Sequence, residues 1–306
     1  MIRHALLRLL TALPTLLVLV TLTFFLMRLA PGGPFDRERS LPPEIEKALA
    51  AEYHLDESLP QQYARYLAGL VRGDLGPSFQ YEGFRVSELI AKGLPVSLTL
   101  GALAMSLALF VGGAMGIAAA LSHRRWPDHA LMGTALLGVS LPSYVVAPLL
   151  VLLFAIGLRW LPAGGWVVGR YSDLVLPVIA LALPQVSAIA RLLRGSLLEV
   201  LQQPYLRTAR AKGLSPHRVI LRHAMKPALM PLVSYLGPAT AGILTGSVVV
   251  EQIFNLPGIG RYFVQGALNR DYTLVLGVVA VYGAMIVLFN FLVDLAYGLL
   301  DPRIRA

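Results

Sequence analysis

The 306-residue chain contains no cysteine. Disulfides, zinc–thiolate centres and thiol nucleophiles are therefore excluded. Its six histidines show no H-E-x-x-H or other tight ligand spacing. No lysine follows a glycine, so a Walker A phosphate loop is absent and any nucleotide chemistry must reside in another subunit. Charge is scarce too. Asp, Glu, Lys and Arg make up 14% of the residues against 56% hydrophobic ones, and mean hydropathy is +0.67. A soluble domain of this length needs far more polar surface.

What is present is a set of long apolar runs. Residues 9–27, 93–122, 130–158, 227–250 and 272–293 contain no Asp, Glu, Lys, Arg or His. Each approaches or exceeds the roughly 20 residues that cross a bilayer. A sixth run, 174–190, is shorter and ends at Arg191. The expectation is an all-α membrane protein with six transmembrane helices. The first run follows Arg3 and Arg8 as a signal peptide would, but it is 19 residues long. The flank Arg28-Leu29-Ala30 is a poor small-x-small cleavage site, so a retained helix over 1–29 is expected.

Charge orients the spans. With both termini on one side, that side carries 14 basic residues against Asp128, Glu199 and Asp301. The opposite side carries 12 bases and 13 acids. The positive-inside rule then puts both termini in the cytoplasm, with 30–92 and 251–271 outside. The pI near 10.0 reflects this topology and points to the membrane, not to nucleic acid.

The external region 30–92 opens on the turn-rich "APGGPF". "PPEIEKALAAEY" then starts on prolines and spaces Ile45 and Leu49 one turn apart. "SLPQQYARYLAGLVRG" offers Ser58 as cap, Tyr63, Leu67 and Leu70 on one face, and Gly73 as stop. Two short amphipathic helices are expected. Trp160 and Trp166 suit an interfacial belt in the second external loop. In the third, "EQIFNLPGIG" reads as a turn cluster; a re-entrant loop over 251–261 is expected, with Glu251 at the end of the span and Gly258 and Gly260 permitting tight turns. Gly112, Gly113 and Gly116, and Gly237, Gly242 and Gly246, permit close helix approach. Pro142 and Pro148 are expected to break the third span, and Pro177 and Pro184 the fourth.

Inside the spans, Gln185, Ser187, Thr240, Thr245, Ser247 and Asn290 are polar but uncharged. They are interhelical hydrogen-bond partners or part of a solute path. Asp294 lies close enough to Asp301 to be interfacial, which argues against an ion-coupled carrier. Ser140 in "GVSLP" has no histidine or lysine within a span to activate it, which argues against an intramembrane hydrolase.

The most informative stretch is 205–227, "YLRTARAKGLSPHRVILRHAMKP", with six lysines and arginines. Arg207, Thr208, Ala209, Arg210, Ala211 and Lys212 form a helix that Gly213 ends in the left-handed conformation. After Leu214, Ser215 is an N-cap and Pro216 a first-turn residue. A second helix then runs to Pro227 and exposes a Val219-Ile220-Leu221 cluster. A structured knob with an apolar tip calls for a partner.

An alanine-rich helix, a glycine and a second helix before the fifth span resemble the signature loop of permease subunits in binding-protein-dependent ABC importers. "FFLMRLAPGGPFDRERSLPPEI", "AEYHLDESLPQQYARYLAGLVRGDLGPSFQY", "VSLPSYVVAPLLVLLFAIGLRWLPAGGW", "TARAKGLSPHRVILRHAMKPALMPLVSYLGPA" and "GSVVVEQIFNLPGIGRYFVQGALNRDYTLVLG" carry the likeness across nearly the whole chain. They resemble the B-type permeases of bacterial oligopeptide importers. Arg207 and Thr208 stand where many members of the broad family have Glu and Ala, and His223-Ala224-Met225-Lys226 stands where many have Ile-x-Leu-Pro. Such variation is typical of the peptide branch.

The resemblance implies a type I ABC importer permease fold: a first helix (1–29), an external helical insert (30–92), a five-helix domain (93–301) and a short cytoplasmic tail (302–306). Within the domain it implies a cytoplasmic coupling loop (194–227) and an external re-entrant loop (251–271). It implies a bacterial inner-membrane location, a homologous second permease, two cytoplasmic ATPase subunits that hold the ATP and Mg, and an external peptide-binding protein. The chain itself would hold no cofactor and catalyse no covalent step. Coupling would fall to Arg207, Ala209, Arg210, Ala211, Lys212, Gly213, Leu214, Ser215 and Pro216 with Val219, Ile220 and Leu221, and the outer gate to Glu251, Asn255, Pro257, Gly258 and Gly260. Dipeptides, nickel or another small solute are alternative cargoes within the family. A stand-alone secondary carrier would leave the basic insert unexplained and would need internal repeats that the chain lacks.

Overall fold

The computed structural model describes residues 2–29, 43–167 and 169–300. The "APGGPF" turn, Asp301 and the tail 302–306 lie outside the described residues. Those residues are almost wholly helical, and an antiparallel bridge between Pro77 and Arg85 is the one β contact among them.

The helices are α1 (Ile2–Leu29), α2 (Pro43–Glu52), α3 (Leu59–Val71), α4 (Val86–Leu107), α5 (Gly113–Leu121), α6 (Trp126–Ser140) and α7 (Ser143–Leu150). They continue with α8 (Val175–Leu201), α9 (Pro204–Ala211), α10 (Pro216–Arg218), α11 (Met225–Ile253), α12 (Ile259–Leu268) and α13 (Tyr272–Leu300). A π turn, Ala108–Gly112, joins α4 to α5, and another, Val219–Ala224, joins α10 to α11.

Five stretches are long and apolar enough to span a membrane: Leu10–Leu29, Val86–Leu121, Tyr171–Leu201, Pro216–Ile253 and Tyr272–Leu295. The third expected span differs from a simple rod. Trp126–Ser140 and Ser143–Gly157 meet at 102°, so the count reaches six only if this pair is one span. Pro142 causes the break: with φ −61° and ψ 146° it is extended and starts α7. Pro148 breaks nothing, since α7 runs through it. The fourth span is also unbroken. Pro177 occupies the first turn of α8, where its missing N–H is no loss, and the helix carries Pro184 in its interior.

The chain forms two compact units. In the first (Leu98–Leu256 with the chain ends), α8 packs against α5, α6, α7 and α11. It is buried because its neighbours lie close. A side-chain carbon on Gly112 would lie 2.7 Å from the Val186 carbonyl oxygen, and one on Gly116 2.6 Å from that of Ala190. Only glycine admits that approach, as the small-residue spacing suggested. Gly113 meets nothing and plays no such part.

The second unit holds Leu10–Ser97 and Pro257–Met285. Helix α3 starts as expected at Ser58, whose backbone N–H donates to Gln61 Oε1 at 3.2 Å. It ends before Gly73, at φ +73°. Gly283 of α13 lies against Leu19 and Leu16 of α1, and Gly277 against Val86 and Ile90 of α4.

Candidate functional site

The basic segment folds as an elbow. Helix α9 buries Leu206 and Ala209 and exposes Arg207, Thr208 and Arg210. Lys212 ends it, donating its N–H to the Thr208 carbonyl at 3.0 Å. Gly213 follows at φ +79°, the left-handed conformation expected of it. Ser215 is extended at φ −61° and ψ 146°, and Pro216 opens the next helix.

Two expectations about this segment are corrected. The second helix does not stop at Pro227. It runs on as one 38-residue stretch, Pro216–Ile253, because the π turn at Val219–Ala224 absorbs the extra residue without ending the helix. Nor is Val219-Ile220-Leu221 an exposed tip. Val219 is 1% exposed and packs with Leu193, Leu197, Leu206, Ala209 and Ala224, with Leu214 beside them. Ile220 is half-buried, and Leu221 alone of the three is exposed. The apolar side of the elbow seats it on α8. The outward face is polar and basic: Arg207, Arg210, Ala211, Lys212, Gly213, Ser215 and Pro216 are all exposed. Tyr205 ties the arms together, its hydroxyl donating to the His223 carbonyl at 3.4 Å.

Beside the elbow lies a charged anchor that sequence reading missed. Arg194 on α8 donates from Nε and Nη2 to the two carboxylate oxygens of Asp128 on α6, at 2.6 and 2.7 Å. Asp128 is 1% exposed and also accepts the Arg124 backbone N–H at 3.1 Å. A fork-to-carboxylate pair of this kind fixes both distance and angle. The signal was an acid and a base 66 positions apart, which no local pattern connects.

At the other end of α11, Glu251 sits where the span ends. It is fully buried in the last turn, and the helix continues to Ile253. The irregular segment is only 254–258, followed at once by α12, so 251–261 is a helix–turn–helix. The positive-φ residue of the turn is Asn255, at +51°, an amide side chain that tolerates the left-handed region. Gly258 is extended at φ −94° and ψ 173°, and Gly260 is helical, so neither glycine supplies the turn. Leu256 is fully buried and donates its N–H to the Glu251 carbonyl at 2.9 Å. Pro257 follows, exposed. Gly164 lies directly on the Phe254 carbonyl, and Gly165 donates its N–H there at 2.7 Å, so the tryptophan-containing loop clamps this turn.

In the second unit, the α12 N-terminus is held by α4. Ser97 Oγ, wholly buried, accepts the Ile259 N–H at 3.0 Å. A side-chain carbon at Gly93 would stand 3.0 Å from that same nitrogen.

The polar residues inside the spans divide. On α11, Pro231, Ser234, Pro238, Gly242, Thr245, Val249 and Gln252 recur every three or four residues and form one exposed stripe. Lipid favours large apolar side chains, so a stripe of Ser, Pro, Gly, Thr and Gln suits a facing helix or water. Thr245 lies on it, bonded back to the Ala241 carbonyl at 3.0 Å. Thr240 is half-buried beside it. Ser247 drops out: it is 1% exposed, and its hydroxyl donates to the Leu244 carbonyl. Ser187 is likewise buried and bonds to the Leu183 carbonyl at 3.1 Å. Gln185 accepts the Tyr235 hydroxyl at 2.9 Å, and exposed Asn290 rests against Gly237. Ser140 bonds back to the Leu136 carbonyl, and no cluster among the described residues could hold a metal.

Comparison with known proteins adds a family. The binding-protein-dependent transport system inner membrane component family matches residues 112–306. The chain is 52% identical over 305 residues to the oligopeptide transport system permease protein OppB of Escherichia coli K12, covering 100% of both. It is 53% identical over 299 residues to OppB of Haemophilus influenzae, covering 97% of each. To the dipeptide transport system permease protein DppB of Bacillus subtilis it is 45% identical over 291 residues, covering 95% and 94%. A chain of the MetNI methionine ABC transporter, solved in inward-facing conformations, shares the fold at TM-score 0.57 and 15% identity, covering 70% of this chain and 96% of that one. The fold is that of the type I ABC importer permeases.

Proposed function

The chain belongs to the family of binding-protein-dependent transport system inner membrane components, and on that premise we propose that it is a permease subunit of an ATP-driven oligopeptide importer. The observation that carries this reading is the 52% identity to an oligopeptide permease along the whole of both chains. Catalysis of a covalent step is not its task. It forms half of a translocation pathway, and a homologous permease forms the other half. The α11 stripe around Thr245, with Gln185, Thr240 and Asn290 near it, supports a surface that another helix or the solute covers.

The elbow is the coupling site. Its apolar residues are spent on seating it against α8, so its exposed Arg207, Arg210 and Lys212 remain for a cytoplasmic ATPase subunit, of which two are expected, each with ATP and Mg. A rigid elbow transmits ATPase movement to α8 and α11, because Leu206 and Val219 lock it to both. The termini lie in the cytoplasm by the charge rule. On the far side, the turn from Glu251 through Asn255, Pro257 and Gly258 to Gly260 contacts the peptide-binding protein and gates the outer mouth.

A second reading, dipeptide import, has the 45% identity to DppB in its favour. Proteoliposomes containing the assembled complex test both. ATP-dependent uptake of a labelled tetrapeptide is expected in the presence of the binding protein. Uptake of dipeptides alone would replace the first reading with the second, and uptake of neither would overturn both.

A further inference from the structure

Within the second unit one carboxylate joins two distant parts of the chain. Asp271 is fully buried and stands immediately before α13. Its two oxygens serve different partners. Oδ1 accepts the Leu274 N–H at 3.1 Å, as an N-cap does. Oδ2 accepts the Ser78 hydroxyl at 2.5 Å and the Gln80 N–H at 3.0 Å, from residues 193 and 191 positions away. Capping a helix needs one acceptor. The second oxygen is turned to a hairpin over 77–85, and hydrogen bonds to an ionised acceptor are the strong ones.

The hairpin is built to reach it. Its arms meet at the Pro77–Arg85 bridge, and Ser78 donates its N–H to the Phe84 carbonyl at 3.0 Å. The buried Ser78 hydroxyl also accepts the Tyr81 N–H at 2.9 Å. Two further contacts hold the hairpin to the same corner. Thr273, in the first turn of α13, donates its hydroxyl to the Pro77 carbonyl at 2.6 Å. Tyr81 reaches the last turn of α12, where its hydroxyl donates to Gln265 Oε1 at 2.5 Å and its ring packs edge-on against Tyr262.

One continuous stretch of chain therefore holds both ends of α12. The hairpin runs directly into α4 at Val86, and α4 carries Ser97, which accepts the Ile259 N–H. Helix α12 has 10 residues, a length of about 15 Å. A single pin at Ile259 would let it swing about that point. The hairpin, clasped at the far end, removes the swing.

We infer that Asp271 is a positioning residue for the response to the external peptide-binding protein. By clasping the hairpin it braces α12 against α4. Contact at the turn before α12 then moves α4 and the start of α13 together, where an unbraced α12 would only tilt. The inference rests on the proposed importer function, which brings that partner to the turn.

Asp271→Asn isolates the clasp. Asparagine caps a helix as well as aspartate does, but its amide nitrogen turns a donor towards the Gln80 N–H. Hydrogen exchange on the assembled complex reads the clasp without the binding protein. Exchange across 78–84 should quicken about tenfold, the scale of one lost hydrogen bond to a charged group, with the first turn of α13 unchanged. ATP hydrolysis by the reconstituted complex reads the consequence. The basal rate and the concentration of loaded binding protein for half-maximal stimulation should stay as in the wild type, and most of the maximal stimulation should be lost. Ser78→Ala weakens the clasp from the other side and should act in the same direction, which keeps the test open should Asp271→Asn fail to assemble. Unchanged exchange in both variants would overturn the clasp. Full stimulation despite faster exchange, equal loss of basal and stimulated hydrolysis, or a raised half-maximal concentration with full maximal stimulation would overturn the positioning role. A wild-type complex that the binding protein does not stimulate would overturn the importer reading, and the exchange measurement would still decide the clasp.

Discussion

Replacing Gly213 with valine separates the shape of the elbow from its charge. Gly213 sits at φ +79°, and a side-chain carbon built there meets nothing within 4 Å. The substitution therefore costs no steric overlap, only backbone strain of about 1–2 kcal/mol. Against that strain stands the burial of Leu206 and Val219, each worth about 1.5–3 kcal/mol. Both are essentially unexposed. Burial wins, so α9 stays on the bundle and the strain is relieved at the elbow, which opens or twists. The complex should assemble with nearly normal stability. Its ATP hydrolysis should lose stimulation by the loaded binding protein, and uptake should fall with it. Asparagine, which tolerates the left-handed region, should retain most of the stimulation at the same position. Neutralising Arg207 and Arg210 should mainly alter the salt dependence of ATPase association. The assay is ATP hydrolysis by reconstituted complexes with and without loaded binding protein. Full stimulation in Gly213→Val, or equal loss in Gly213→Val and Gly213→Asn, would refute the conformational argument.

Three further expectations follow from other parts of the chain. Asp128→Asn leaves the Arg194 guanidinium facing a neutral amide and should cost about 3 kcal/mol, read as a lowered thermal midpoint in detergent; pairing Asp128→Leu with Arg194→Met should recover most of it. Ser97→Ala removes the acceptor of the Ile259 N–H and should cost about 0.5–2 kcal/mol, seen as faster amide exchange in the first turn of α12 while α8 is unchanged. Because the chain lacks cysteine and both Ser58 and Ser215 are exposed, a membrane-impermeant thiol reagent on intact cells should label Ser58→Cys and spare Ser215→Cys. Labelling of the latter in sealed cells would invert the proposed orientation.

The elbow shows how far the sequence reaches. Gly213 in the left-handed conformation, with Ser215 and Pro216 opening the next helix, was legible because each rests on a few adjacent residues and on which φ values a side chain allows. The apolar spans were legible for a similar reason: the absence of ionisable groups over some twenty positions is itself the signal. Gly112 and Gly116, four apart, marked a close helix crossing, although not which helix would fill it. The fates of Val219 and Leu221 were not legible. The two stand two positions apart in one apolar run, yet one is a core residue and the other faces outward, because the place where α8 lies decides which side of the helix is covered. The 102° turn at Leu141–Pro142 is similar: proline disfavours continuation, but only the packing of α6 and α7 on α8 sets the angle. In the 254–258 turn the left-handed residue is Asn255 and not either glycine, since the clamp of Gly164 and Gly165 on Phe254 fixes where the chain must reverse. Asp128 with Arg194, and Ser97 with Ile259, join residues 66 and 162 positions apart. Local physics determines which conformations and environments a residue tolerates. Partners that distant are chosen by the whole arrangement of helices, which settles which buried charge and which orphan N–H come within bonding distance.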